Sequence, residues 1–197
     1  MNKILAIDTS SEACSVALQA DRIYFRHEIV PRQHNQLLVP MIETVLAEAG
    51  ITVHDLNAIA IGCGPGSFVG VRLGLGVAQG LAFAAKLPLI PLSSLQILAQ
   101  SAIASDADDV CITVDAHMGD FYRCHYKRTG DLMLPTEEAH VIKNDGTATI
   151  SQNQYPNAID ALSLAVEEIH HNRTVPPDQV QPIYPRGTRQ WKLADSS

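Results

Sequence analysis

The stretch Gly62-Cys63-Gly64-Pro65-Gly66-Ser67-Phe68-Val69-Gly70-Val71-Arg72 constrains this chain more than any other. Before it, Asn57-Ala58-Ile59-Ala60-Ile61 reads as a buried strand. Gly62, Gly64 and Gly66 with Pro65 then impose a sharp backbone path, and Ser67 offers a hydroxyl N-cap to a helix expected over 68–86. A glycine-rich turn feeding a helix aims free N–H groups at whatever sits there, and phosphate is the natural ligand. Two known phosphate motifs fail. No lysine follows a glycine at P-loop spacing. In a Gly-x-Gly-x-x-Gly frame the third glycine is Val69 counted from Gly64, and Gln79 counted from Gly74. The turn therefore either binds nothing or cradles phosphate in a different way.

The helix itself carries small residues on two sides, Gly70, Gly74, Ala78 and Ala85 on one, Gly76, Gly80 and Ala84 on another. Each helical glycine costs about 1 kcal/mol relative to alanine, so four of them need a reason. Close backbone approach on both sides supplies one. One side can pack on the chain's own sheet; the other needs a second helix, internal or from a partner.

Composition limits the classes. At 197 residues, 46% apolar and 18% charged, the chain can bury a core as one domain or two small lobes. A net charge of −7 and a pI near 5.5 argue against a protein that grips nucleic acid by itself, so any role on RNA is indirect. Cys14, Cys63, Cys111 and Cys124 form no Cys-x-x-Cys pair and read as free thiols, mostly buried, in a reducing compartment. Asp8 interrupts the N-terminal apolar run too early for a signal peptide, and no uninterrupted run of 18 apolar residues occurs. A soluble, cytoplasmic protein with no membrane contact is expected.

Along the chain, strands are expected at 4–7, 14–18 and 23–28, a helix over 35–49 ended by Gly50, the strand before the glycine-rich turn, the long helix, a strand over 87–92 and a helix over 94–104. Then the pattern restarts: Val110-Cys111-Ile112-Thr113-Val114-Asp115 mirrors the first strand, a hairpin follows over 121–126, and Asn157 caps a last helix reaching about 172. The stretch 143–156 reads as a loop, and four prolines over 176–185 make the tail largely extended. Residues 105–109 form the best lobe boundary. Two ribonuclease-H-like halves would give this doubling. Asp8 and Asp115 would then face a cleft where Mg²⁺ and nucleotide phosphates meet, with Thr9, Ser10, Gly64, Gly66 and Ser67 as further cleft candidates. Alternatively, Asp8 caps its own turn through Thr9 and Ser10.

Four segments resemble the TsaB (YeaZ) family: Ile4-Leu5-Ala6-Ile7-Asp8-Thr9-Ser10 with Glu12-Ala13-Cys14-Ser15-Val16-Ala17-Leu18; Pro31-Arg32-Gln33-His34; Gly64-Pro65-Gly66-Ser67-Phe68-Val69-Gly70-Val71-Arg72; and Asp115-Ala116-His117-Met118-Gly119-Asp120-Phe121-Tyr122. The stretch 184–192 matches more loosely. The resemblance implies an α/β, actin-like (sugar kinase, heat-shock chaperone and actin) ATPase fold in two lobes: 1–105, carrying partner-binding helices, and an abbreviated 106–197 with an extended tail. It also implies a scaffold subunit of the machinery that makes threonylcarbamoyladenosine beside the anticodon of tRNAs reading ANN codons. Its partners would be a catalytic paralogue, TsaD, and a small ATPase, TsaE. The chain would form a homodimer when alone.

In the catalytic paralogue a metal-binding His-x-x-x-His follows a Pro-Leu-Ile strand. After Pro88-Leu89-Ile90 the matching places here are Ser94 and Leu98. Leucine cannot ligate a metal and a lone hydroxyl does so poorly, so no metal site and no catalysis are expected. In the family, helices matching 34–49 and 68–86 build a four-helix interface. That makes His34, Leu38, Ile42, Gly70, Val71, Gly74, Leu75 and Ala78 interface candidates. Cys63 and Val69 replace the arginine and threonine usual in the loop, which weakens nucleotide binding: no cofactor is required, and ATP or ADP would bind weakly or at a shared interface. The chain is also shorter than usual around 143–156. The tail over 184–192 mixes aromatics with cations and serves either as an RNA contact or as a terminal strap. Two other readings compete with the scaffold: an actin-like ATPase or phosphotransferase using Asp8 and Asp115, and a metallopeptidase, which needs the absent ligands.

Overall fold

A computed structural model describes residues 2–116, 119–144 and 155–185. Its first sheet is mixed, with β1 (Ile4–Asp8), β2 (Ala13–Gln19), β3 (Ile23–Ile29), β4 (Ala58–Gly62) and β5 (Leu89–Leu92) in the order β3-β2-β1-β4-β5. β1, β2 and β3 are joined by hairpins and run antiparallel, while β4 and β5 run parallel to β1. β1 and β4 are covered on both faces, which is why they read as nearly continuous apolar runs rather than alternating ones.

The parallel strands are linked through α1 (His34–Glu48) and α2 (Phe68–Ala85), which lie on one face of the sheet. There Leu5, Ile7, Val16, Leu18, Ile59 and Ile61 meet Leu38, Ile42 and Val45 of α1 and Leu75, Ala78 and Ala82 of α2. The opposite face is lined by Ile4, Ala6, Ala17, Ala58 and Ala60, and its alanines admit α4 (Ala158–His170) through Ala158, Ala161, Leu162 and Ala165. Asn157 caps α4, accepting from the Ile159 N–H at 3.0 Å. This layer of the first sheet is thus supplied by a helix far along the chain, so the change near residue 105 is a change of sheet, not of packing.

The second sheet is centred on β7 (Asp120–Thr129). It pairs with β6 (Asp109–Asp115) along one edge and, on the other, with β9 (His140–Lys143) at its start and β8 (Leu132–Pro135) at its end. α3 (Ser94–Gln100) joins the sheets: Ile97 packs with the α4 layer, while Leu95, Leu98 and Ala99 pack against Ile112, Tyr122, Cys124, Tyr126 and Met133.

The expected helix over 94–104 is α-helical only to Gln100 and tightens into a 3-10 turn over Ser101–Ser105. β8 and β9 were not expected; β9 takes up the start of the stretch read as a loop. Residues 145–154 of that stretch, His117 and Met118 of the fourth matching segment, and the tail beyond Pro185 lie outside the described residues.

Candidate functional site

Asp8 ends β1 fully buried. Its Oδ1 accepts from the Ser10 N–H at 2.9 Å and the Ser10 hydroxyl at 2.8 Å, and its Oδ2 accepts from the Ser94 hydroxyl at 2.8 Å. Burial raises its pKa despite these bonds. Ser94 in turn accepts from the Gly64 N–H at 3.1 Å, and its own N–H donates to the Gly64 carbonyl at 2.8 Å. Asp8 therefore ties the end of β1, the start of α3 and the glycine-rich turn into one knot. The fit is tight, since a Cβ on Gly62 would lie 1.9 Å from Asp8 Oδ2.

The turn after β1 fills the concavity that the glycine-rich loop makes. The Ser67 N–H donates to the Ser10 carbonyl at 2.6 Å, the Thr9 hydroxyl donates to the Gly70 carbonyl at 2.7 Å, and Ser67 caps α2 by accepting from the Gly70 N–H at 3.2 Å. A Cβ on Gly66 would stand 2.3 Å from the Ser10 carbonyl oxygen, one on Gly70 2.0 Å from that of Thr9, and one on Gly74 2.3 Å from Thr9 Oγ1. These glycines are required by the approach of residues 8–10. Pro65 follows a cis peptide bond.

Asp8, Thr9, Ser10, Gly64, Gly66 and Ser67, the cleft candidates, are thus brought together in the structure. Asp8, Thr9, Ser10 and Ser67 bond within this knot, and the amides of Gly64 and Ser67 point into the protein's own Ser94 and Ser10. Asp8 adopts the turn-capping role. Asp115 is exposed at the end of β6, so the two aspartates do not share an environment. Ser94 and Leu98, at the places matched to metal-binding histidines, are both buried, the first bonded to Asp8 and the second packed in the second-sheet core.

The interface candidates point inward in the single chain. Leu38, Ile42, Gly70, Val71, Gly74, Leu75 and Ala78 all face the chain's own sheet, and His34 is 9% exposed with its ring Nε2 3.2 Å from the Ala13 carbonyl. The outward side of α2 is the other small-residue side. Gly76, Gly80 and Ala84 are exposed there, and a Cβ on Gly76 or Gly80 would meet nothing within 4 Å. Val69 is 74%, Phe83 83% and Phe68 48% exposed, and on α1 Val39 is 46% exposed. Arg72 at the edge of this face lies over the Phe68 ring, 3.3 Å from its centroid, and 5.0 Å from that of Tyr184. Sequence reading identified both small-residue sides and left open which one points outward; Phe83, seven residues after Gly76 on the same side, was the available signal. By length and composition alone α2 could cross a membrane, yet its other side is part of the core.

Comparison with known proteins converges on one family. The model described as "TsaD: tRNA N6-adenosine threonylcarbamoyltransferase" matches residues 25–184. The tRNA threonylcarbamoyladenosine biosynthesis protein TsaB of Escherichia coli (strain K12) is 35% identical over 229 aligned residues, spanning 96% of this chain and 97% of that protein. Its namesake in Haemophilus influenzae is 34% identical over 226, spanning 96% and 95%. Both alignments are longer than this chain, so these relatives carry residues that it lacks. Among solved structures, YeaZ from Pseudomonas aeruginosa superposes with a TM-score of 0.87 at 35% identity, covering 93% of this chain and all of that one. These likenesses and the mixed α/β sheet give the chain an actin-like ATPase-type fold.

Proposed function

The chain belongs to the TsaB family and is a subunit for tRNA threonylcarbamoyladenosine biosynthesis, and we propose that it acts there without catalysing, by holding a larger TsaD-type paralogue against the outward faces of α1 and α2. The observation that carries this reading is the outer side of α2, where exposed Gly76, Gly80 and Ala84 share a side with exposed Val69 and Phe83. Helical glycines with nothing near them in their own chain are a cost of about 1 kcal/mol each unless another backbone comes close. An apolar helix face of this kind needs a helical partner, and when the paralogue is absent the same face would pair two copies as a symmetric homodimer.

The proposal has further elements. The enclosure of Asp8 by Ser10 and Ser94 counts against an ATPase or phosphotransferase built on Asp8 and Asp115. With Ser94 and Leu98 at the histidine places, catalysis belongs to the paralogue. The first lobe, 1–105, carries the partner helices; the second, 106–197, is abbreviated. A TsaE-type ATPase joins the assembly, ATP or ADP is needed only where subunits share a site, tRNA is met through the paralogue, and the setting is the cytoplasm.

The test is light scattering on the chain mixed with the TsaD-type paralogue of the same genome. A mixed complex that Phe83→Glu and Gly80→Arg abolish supports the reading. A complex indifferent to both substitutions refutes the assignment of the face.

A further inference from the structure

The outer edge of β3 is a second surface, unrelated to the α2 face. β3 ends the first sheet, and no described strand pairs with its far side. Its seven residues pair with β2 in unbroken register, without a bulge or a proline. The Val30 N–H donates to the Glu12 carbonyl and the Ala20 N–H to the Arg22 carbonyl, so even-numbered residues bond inward to β2. Ile23, Phe25, His27 and Ile29 therefore aim their N–H and C=O groups outward. The side chains of these same residues stand on the α4 side of the sheet, with Ile23 47%, Phe25 48% and Ile29 59% exposed. A long, straight, apolar edge is what native sheets usually avoid.

We propose that this edge pairs with the β3 edge of a second copy, antiparallel about a two-fold axis at Arg26. This is the one register that overlaps all seven residues. It sets Ile23 opposite Ile29 and Phe25 opposite His27, each as a hydrogen-bonded pair, giving about eight backbone bonds by symmetry. A two-fold axis normal to the sheet keeps the apolar side chains of both copies on one face, with the two Phe25 rings diagonal and in reach of each other. On the other face each Arg26 is diagonal to the Glu28 of the second copy and already paired with its own Glu48, so two guanidiniums meet four carboxylates. The Arg26 side chain also donates to the outward Phe25 carbonyl at 2.7 Å, covering the edge in the single chain. Pairing replaces that bond with the His27 N–H of the other copy.

The experiment uses the full chain carrying Gly80→Arg, which blocks the α2 face at a position with open space, so that failure of the partner reading and of this one are separable. Sedimentation from micromolar to millimolar concentration is expected to show a dimer that Phe25→Lys weakens about tenfold or more. Amide exchange of Ile23, Phe25, His27 and Ile29 should slow with concentration, while that of Tyr24, Arg26 and Glu28 should not change. A chain that stays monomeric with unprotected odd-numbered amides, or a dimer indifferent to Phe25→Lys, overturns the proposal.

Discussion

Ser94 donates its hydroxyl hydrogen to Asp8 Oδ2 at 2.8 Å, joining the end of β1 to the start of α3 across 86 positions of sequence. The bond decides how the acidic residue at the head of the chain is used: as an internal tie rather than an open ligand. Asp8→Ala removes the acceptor of three hydrogen bonds and leaves the Ser10 N–H and the Ser94 hydroxyl buried without it. The expected cost in urea denaturation is about 2–4 kcal/mol. Asp8→Asn keeps an acceptor for Ser10 and offers an N–H to Ser94, and should cost less than half as much.

The same carboxyl gives a pH signature. Its folded-state pKa is raised by burial, so the folded chain binds a proton more readily than the unfolded chain. Stability contributed by Asp8 is therefore greatest below the ordinary aspartate range and is lost as pH rises through the raised value. Asp160 behaves alike, pushed up to about 6 by desolvation. The stability of the wild-type chain relative to Asp160→Asn should fall as pH is raised from about 4 to 6 and be level above it. Denaturation midpoints across that range check the slope.

The glycines of α2 should divide by side. Gly74→Ala places a methyl group 2.3 Å from Thr9 Oγ1 and should destabilise by about 1–3 kcal/mol. Gly80→Ala meets nothing and should stabilise the isolated chain by up to about 1 kcal/mol. In the paralogue complex the same substitution should weaken binding, because the added methyl holds the two helices apart. Thermal unfolding of the chain alone and binding titrations of the complex measure the two effects separately.

Cys14 and Cys63 are buried and their thiols are pushed up to about 12, and Cys124 is also buried and raised. Cys111 is exposed. Iodoacetamide at pH 8 should label Cys111 in the native chain and all four cysteines in urea, read by peptide mass mapping.

Much of the fold was legible because β1 and β4 are apolar on both faces and the caps Ser67 and Asn157 stand where helices begin. β8 and β9 were not, since four-residue strands carry too little alternation to separate from loops. The roles of Asp8 and the glycines were hidden for a different reason. A turn that fills a glycine-rich loop and a phosphate that fills it demand the same small residues, and only the approach of Thr9 and Ser10 distinguishes them. The face of α2 was ambiguous because small residues occupy both sides, one for the sheet and one left open.

The most direct measurement is the mass of the complex between this chain and its TsaD-type paralogue, by light scattering, with wild type and with Phe83→Glu. The account predicts a stable mixed complex for wild type and separate proteins for the variant, whose own unfolding midpoint is unchanged because Phe83 is 83% exposed. A complex of undiminished affinity with Phe83→Glu would contradict it.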